Sequence, residues 1–277
     1  MKQKILFFGS GTYTIPIIEV LKKHNLILIV TTEKEGSYIN YLKKQNIPFV
    51  SSTLKNKKDI GKIFNYKPTM AVLASYGAII PKLIINNYNL SILNIHPSLL
   101  PIYKGPSPVQ TAILNGDKIT GVTIIKLDEQ VDHGPIAMQK KVSLTGQETS
   151  ESLKKDLFLV GSKMIDDLLK KIEKGEEIKF QDQDHKKEIF TSKVKRTNGF
   201  IDSNNPPDKN IITRMIRAFY PWPGVWTEAF LYNKKRRIKL LPNNKIQVEG
   251  KKVMAYKEFE NGYQKEGKDL LVKLSLY

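Results

Sequence analysis

The chain has 277 residues, 40% of them apolar and 9% aromatic, which describes a folded protein with room for a sizeable core and excludes an intrinsically disordered one. Lys and Arg number 45 against 27 Asp and Glu, a net charge of +18 suited to a polyanionic partner such as nucleic acid. The absence of cysteine excludes disulfides, thiolate nucleophiles and cysteine-bound zinc, and no apolar run approaches the ~18 residues of a membrane span.

The start, Met1-Lys2-Gln3-Lys4, leads straight into a buried-strand pattern instead of a signal peptide, so a cytoplasmic protein is expected, with no membrane partner. Only five of the 45 basic residues are arginine, and Lys, Asn and Ile abound, so a drifted lysine surface is the rival source of the charge. Its distribution favours a partner. Residues 206–277 hold 15 basic against 7 acidic residues (+8 in 72), whereas residues 1–205 hold 30 against 20 (+10 in 205).

Ile5-Leu6-Phe7-Phe8 ends at Gly9-Ser10-Gly11 and is followed by a helical pattern through Ile15, Ile18 and Leu21. This is the strand, glycine turn and helix that open a parallel α/β sheet. Position 14 is Thr, so the dinucleotide fingerprint is incomplete and a tight packing turn is expected. Further buried strands are predicted at 26–30, 48–51, 70–74, 92–95 and 121–126, with an alternating edge strand at 136–142. Helical patterns lie between them, so the sheet is expected to be mostly parallel and doubly wound. A long helix is predicted over 150–174, its stripe formed by Leu153, Leu157, Val160, Met164, Leu168 and Ile172.

Composition then shifts. Residues 193–208 are polar, carry two prolines and read as a linker between a domain at 1–192 and another at 209–277. The second domain is expected to begin with a helix over 211–219 and the turn Tyr220-Pro221-Trp222-Pro223-Gly224. Short alternating runs at 225–231, 237–241 and 245–248 suggest a small OB-like β-barrel.

The chemistry concentrates at Asn94-Ile95-His96-Pro97-Ser98-Leu99-Leu100-Pro101 and at Val131-Asp132-His133-Gly134. Asn94 and His96 are two apart and share one face of a strand end. Pro97 and Pro101 forbid regular structure beyond it, so a shaped loop follows. Strands of a parallel sheet bring their carboxyl ends to one crevice, where this segment, the 74–78 turn and the loop carrying Asp132 are expected to meet. An amide donor, a proton-transferring ring and a carboxylate suit acyl-group transfer. No metal-ligand spacing, phosphate-binding loop or nucleophile elbow is present, so neither a metal nor a covalent intermediate is expected.

These two segments together resemble the signature of the 10-formyltetrahydrofolate-dependent formyltransferases. Ile216-Arg217-Ala218-Phe219-Tyr220-Pro221-Trp222-Pro223-Gly224-Val225-Trp226-Thr227 resembles the start of the C-terminal domain in the members that formylate Met-tRNA. So does the closing Glu249-Gly250-Lys251-Lys252-Val253-Met254 segment with Phe259 and Gly262-Tyr263. The resemblance implies a formyltransferase-like catalytic domain, 10-formyltetrahydrofolate as co-substrate, initiator Met-tRNA as partner and a monomer. It assigns Asn94, His96 and Asp132 to catalysis. Ser98, Leu99, Leu100 and Pro101 would contact the folate, and Gly77, Ala78, Ile79 and Ile80 would line the pterin pocket.

Asn94 and His96 would stabilise the oxyanion of the tetrahedral intermediate, each worth ~2.7–4 kcal/mol if like measured oxyanion-hole donors. Asp132 would help remove the proton of the attacking amine. Lys234, Lys235, Arg236, Arg237 and Lys239 would contact tRNA, with a solvated hairpin as the plainer reading of that run. Many Met-tRNA-formylating members carry a long basic loop after the second strand. Here Thr31-Thr32-Glu33-Lys34-Glu35-Gly36-Ser37 passes almost directly into a helix, which suits an alternative acceptor, an amino-sugar nucleotide or another small amine.

Overall fold

A computed structural model describes residues 3–87 and 90–276. The chain divides into two compact units, the first made of Met1–Gly105, Thr120–Val142 and Lys154–Phe190, the second of Pro106–Ile119, Ser143–Leu153 and Thr191–Tyr277. The second unit thus includes 106–119, 143–153 and the 193–208 stretch as well as the C-terminal segment.

The first unit is built on a seven-stranded sheet. Its strands are β1 (Ile5–Gly9), β2 (Leu26–Thr31), β3 (Phe49–Ser51), β4 (Met70–Ala74), β5 (Ser91–His96), β6 (Ile119–Lys126) and β7 (Ile136–Ser143), in the order β3-β2-β1-β4-β5-β6-β7. The five strands from β3 to β5 are parallel, and β6 pairs antiparallel with β5, aligning Asn94 with Ile125 and His96 with Thr123. Runs such as Ile5–Gly9 are buried at every position because helices cover both faces.

Those helices are α1 (Ile15–Lys23), α2 (Ser37–Lys44), α3 (Lys57–Phe64), α4 (Lys82–Asn87) and α6 (Ser150–Glu173); α5 (Pro108–Asn115) belongs to the second unit. Ile60, Ile63 and Ile84 of α3 and α4 pack with Leu6, Phe8, Leu28, Val30 and Ile92 of the strands. On the opposite face, α6 comes so close to β5 that a Cβ at Gly161 would meet Ile95 Cγ2 at 2.6 Å. Asn94 and His96 share the parity of Ile92, so the α6 face is not theirs. His24, at the end of α1, is buried with its two ring nitrogens 2.7 Å from Asp166 and 2.8 Å from Glu173 on α6.

The turn after β1 is a packing turn. Glu33 Oε1 accepts the Gly11 N–H at 2.6 Å, so a carboxylate of the chain already takes up this donor. The short 31–37 loop supplies that glutamate.

In the second unit, α7 (Lys209–Ala218) precedes a four-stranded antiparallel sheet, with β8 (Val225–Leu231), β9 (Lys234–Leu241), β10 (Lys245–Val248) and β11 (Met254–Ala255) side by side. Helix α8 (Tyr256–Lys273) follows, kinked at Gln264. Tyr232 and Asn233, both at positive φ, form the two-residue turn that continues β9 back to Lys234, three residues earlier than its apolar alternation indicates. Long-range bonds tie the non-contiguous segments together. Arg214 Nη1 donates to the Asn115 carbonyl, Arg217 Nη1 to that of Glu148, and the Ile201 N–H to that of Trp226. Among the described residues no helix is long and apolar enough to cross a membrane.

Candidate active site

The site forms where β5 ends. Asn94 and His96 are each only 5% exposed, a costly placement for two polar side chains unless their hydrogen bonds are met. Asp132 meets them. Asn94 Nδ2 donates to Asp132 Oδ1 at 3.1 Å, and His96 Nδ1 lies 3.4 Å from the same oxygen. The other carboxylate oxygen accepts the Gly105 N–H at 2.7 Å. The far ring nitrogen of His96 lies 2.9 Å from the Tyr103 carbonyl. A carbonyl only accepts, so Nε2 carries a proton and Nδ1 is the nitrogen turned toward Asp132. Thirty-six residues of separation between His96 and Asp132 are thereby closed into one amide–imidazole–carboxylate cluster.

Asp132 itself sits at φ 49, in the left-handed region where Asp and Asn are among the few tolerated side chains. A residue outside the sequence-based assignment holds it there. Gln183, buried, donates through Nε2 to the Asp132 carbonyl at 2.9 Å and to the Gly134 carbonyl at 2.8 Å. The segment carrying it is anchored by reciprocal backbone bonds between Gln181 and Ile136 at the start of β7. In the sequence, Gln181-Asp182-Gln183-Asp184 reads as a polar surface stretch; no local signal marks Gln183.

The loop after His96 is equally fixed. Thr123 on β6 donates through Oγ1 to the Ser98 carbonyl at 2.7 Å and accepts the Leu100 N–H at 3.1 Å, while Gln139 on β7 donates to the Leu100 carbonyl. Ser98 spends its own hydroxyl on the Ile102 carbonyl at 2.6 Å and is fully buried; Leu100 is also buried, whereas Leu99 and Pro101 are half-buried. Further along, the buried Lys104 places Nζ 2.8 Å from Glu188 and holds that carboxyl below its usual range. His133 bonds Asp128 at 2.7 Å and stacks on His185 with ring centres 4.1 Å apart.

A cleft of about 160 Å3 opens beside the cluster. Asn94 and Asp132 line one end, Ala78, Ile79, Ile80, Leu127 and Val131 form apolar walls, and Asp128, Glu129 and Gln130 also line it; His96 is not among its lining residues. Ile79 is 83% exposed and Val131 56%, so the mouth presents apolar surface to solvent, as ligand grooves do. Of the residues expected to hold folate, Ala78, Ile79 and Ile80 line this cleft; Gly77 and 98–101 are not among its lining residues. The 127–131 wall, whose residues were not among those expected to hold folate, is braced by Glu129, bonded to Lys82 at 2.5 Å and Asn86 at 2.8 Å on α4. Among the described residues no group of three His, Asp or Glu is placed to hold a metal ion.

The basic run of the second unit divides between two faces of β9. Ile238 and Leu240 point into the core, and by alternation Lys234 and Arg236 share their side, while Lys235, Arg237 and Lys239 share the other. Across the strand pair, Phe230, Glu228 and Trp226 oppose Lys235, Arg237 and Lys239.

A doubly covered α/β sheet with an amide, an imidazole and a carboxylate gathered at one strand end defines a group-transfer enzyme class. Residues 2–168 match the formyl transferase family, and the chain belongs to that family. It is 30% identical to the methionyl-tRNA formyltransferase of Thermodesulfovibrio yellowstonii, over 97% of this chain and 99% of that protein. With the methionyl-tRNA formyltransferase of Chloroflexus aurantiacus the identity is 34%, over 81% and 76%. Among solved structures, a 4-N formyltransferase from Francisella tularensis superposes with a TM-score of 0.70 at 17% identity, covering 87% of this chain and 98% of that one, a likeness of fold. Phosphoribosylglycinamide formyltransferase from Bacillus halodurans covers 61% of this chain and 93% of its own, with a TM-score of 0.52 at 29% identity.

Proposed function

We propose that this enzyme transfers a formyl group from 10-formyltetrahydrofolate to the α-amino group of methionine on initiator Met-tRNA. The observation that carries the reaction is the Asn94–His96–Asp132 cluster, of which Asn94 and Asp132 line a cleft with apolar walls at 78–80, Leu127 and Val131. The similarity to methionyl-tRNA formyltransferases over nearly the whole chain supports the acceptor.

The cleft suits the donor. Its apolar walls at Ile79, Ile80, Leu127 and Val131 match the flat rings of a reduced folate, and the end lined by Asn94 and Asp132 matches the formyl group. In the reaction a carbon–nitrogen bond forms to the methionine amine and the bond from the formyl carbon to the folate nitrogen breaks. The amine loses a proton and the folate nitrogen gains one. Asn94 has a second amide hydrogen beyond the one given to Asp132, and this donor stabilises the oxyanion that forms on the formyl oxygen. In its imidazolium form His96 donates from Nδ1 to the same oxyanion and passes that proton to the departing folate nitrogen, because Nε2 is committed to the Tyr103 carbonyl. Asp132 takes up the ammonium proton, directly or through water, and orients both neighbours. No covalent enzyme intermediate enters this scheme.

The second unit, proposed as an OB-like tRNA-binding domain centred on 209–277, supplies affinity through Lys234, Lys235, Arg236, Arg237 and Lys239. Steady attraction of phosphates by such cations falls with salt, which gives it a signature. A second acceptor, an amino-sugar nucleotide, draws on the short 31–37 loop, where Glu33 is already spent on the Gly11 N–H. Incubation with 10-formyltetrahydrofolate and either Met-tRNA or an amino-sugar nucleotide decides between them. Formylation of Met-tRNA is expected; formylation of the sugar alone overturns the acceptor assignment.

A further inference from the structure

The outer face of the C-terminal sheet carries more than positive charge. Arg237 lies over the indole of Trp226, its guanidinium carbon 4.6 Å from the ring centre, and the tilted ring of Phe200 packs on the same indole at 4.7 Å. Phe200 is set there by a parallel bridge to Trp226 and by the Ile201 N–H bonded to the Trp226 carbonyl. Close approach is possible because Gly199 meets the Gly224 carbonyl, where a Cβ would come within 1.9 Å. The 196–201 stretch therefore lies along the edge of β8 and presents Phe200, 43% exposed, beside the cations.

A cleft of about 250 Å3 adjoins this group, lined by Arg196, Arg237, Lys239, Gln247 and Glu249 among others. Three cations and one carboxylate line it. Glu249 accepts the Arg237 backbone N–H at 3.5 Å, and Glu228 lies opposite Arg237 across the strand pair, but among the described residues none of the three cationic side chains forms an ion pair and the Arg237 side chain makes no hydrogen bond to the protein; its buried Nε has no acceptor. A guanidinium carries five donors in a planar fork, and stacking on an indole fixes that fork while spending none of them. Fixed and unspent, it fits a phosphate. The half-exposed ring of Phe200 fits a flat apolar group next to that phosphate. Further along the same face Phe230, 66% exposed, lies opposite Lys235, whose ammonium is paired with Glu228 at 2.7 Å.

We propose that this face holds an unpaired nucleotide of the bound RNA, its phosphate on Arg237, Lys239 and Arg196 and its base on Phe200. The proposal rests on the RNA-acceptor reading above. A base in a duplex keeps its faces stacked on its neighbours, so exposed aromatic rings select an unpaired one, whereas cations alone do not discriminate.

The test uses the full chain carrying Trp222→Phe, so that Trp226 is the sole indole, titrated with an eight-nucleotide oligouridylate and with a blunt RNA duplex of equal length. Quenching of Trp226 by the single strand is expected, with weaker binding of the duplex. Phe200→Leu, which keeps an apolar contact to the indole, should weaken single-strand binding about tenfold and leave duplex binding unchanged; Phe200→Tyr should restore it. Arg237→Gln should lower the salt slope by about one. Equal binding of the single strand by Phe200→Leu and its parent overturns the base site, and an unchanged slope with Arg237→Gln overturns the phosphate site. Met-tRNA formylation by the same parent protein is measured alongside. Its absence strikes the acceptor reading and not this face, and its presence with unaltered oligonucleotide binding strikes this face alone.

Discussion

Asp132→Asn separates charge from shape better than any other change at the site. Asn tolerates the φ of 49 at this position, so the loop backbone is undisturbed. One carboxylate oxygen accepts from Asn94 at 3.1 Å and faces His96 at 3.4 Å; the other accepts the Gly105 N–H at 2.7 Å. An amide has only one oxygen. If it faces Asn94 and His96, the new NH2 meets the Gly105 N–H; if it faces Gly105, the NH2 meets Asn94. Either way a shielded donor loses its acceptor, at about 1–3 kcal/mol of stability. The proton acceptor for the amine is also gone, and general acid–base groups are typically worth about 10²–10⁴ in rate. We therefore expect kcat for Met-tRNA formylation to fall by about 10²–10⁴, with KM for the folate changed by less than about threefold. Steady-state kinetics and urea unfolding measure the two effects. A kcat within about threefold of the parent refutes the role given to Asp132.

His96→Ala should abolish turnover while the folate still binds, read by equilibrium titration with a non-transferable folate; unaltered turnover removes His96 from the mechanism. Gln183→Leu removes the shared donor of the Asp132 and Gly134 carbonyls and should lower kcat more than it raises KM, whereas a role confined to packing predicts lost stability at unchanged kcat. Replacing Lys234 and Lys239 by Gln should reduce the salt slope of tRNA binding by about two, because each is expected to neutralise one phosphate, and leave folate affinity unchanged. A preserved slope marks those two lysines as solvated surface.

Strands β1, β2, β4 and β5 were legible because a parallel strand buried on both faces leaves a run of apolar residues that little else produces. Asn94 and His96 were legible for a related reason, since two side chains on one short strand need only the period of the strand to be placed together. Asp132 is different. Its encounter with His96 depends on a loop and a left-handed residue: the convergence of strand ends put its loop at the crevice, and resemblance to a family gave it its role. Gln183 gave no sign because it acts through two bonds to backbone carbonyls that lie 49 and 51 residues earlier. Helix α8 escaped notice because Gly262, Gly267 and the kink at Gln264 break the periodicity that announces a helix. The run Lys234-Lys235-Arg236-Arg237 reads as one patch in sequence, but strand alternation divides it between two faces. Bonds such as Arg214 to Asn115, 99 residues apart, explain why the second unit gathers segments from the middle of the chain, which composition alone does not reveal.

The most direct test of formyl transfer at the Asn94–His96–Asp132 cluster is recovery of N-formylmethionine from tRNA. Parent protein and His96→Ala are each incubated with Met-tRNA and 10-formyltetrahydrofolate, the tRNA is deacylated and the released amino acid is identified by mass. N-formylmethionine from the parent and unmodified methionine from His96→Ala is the predicted result. Unmodified methionine from both, or N-formylmethionine from both at equal rates, contradicts the account.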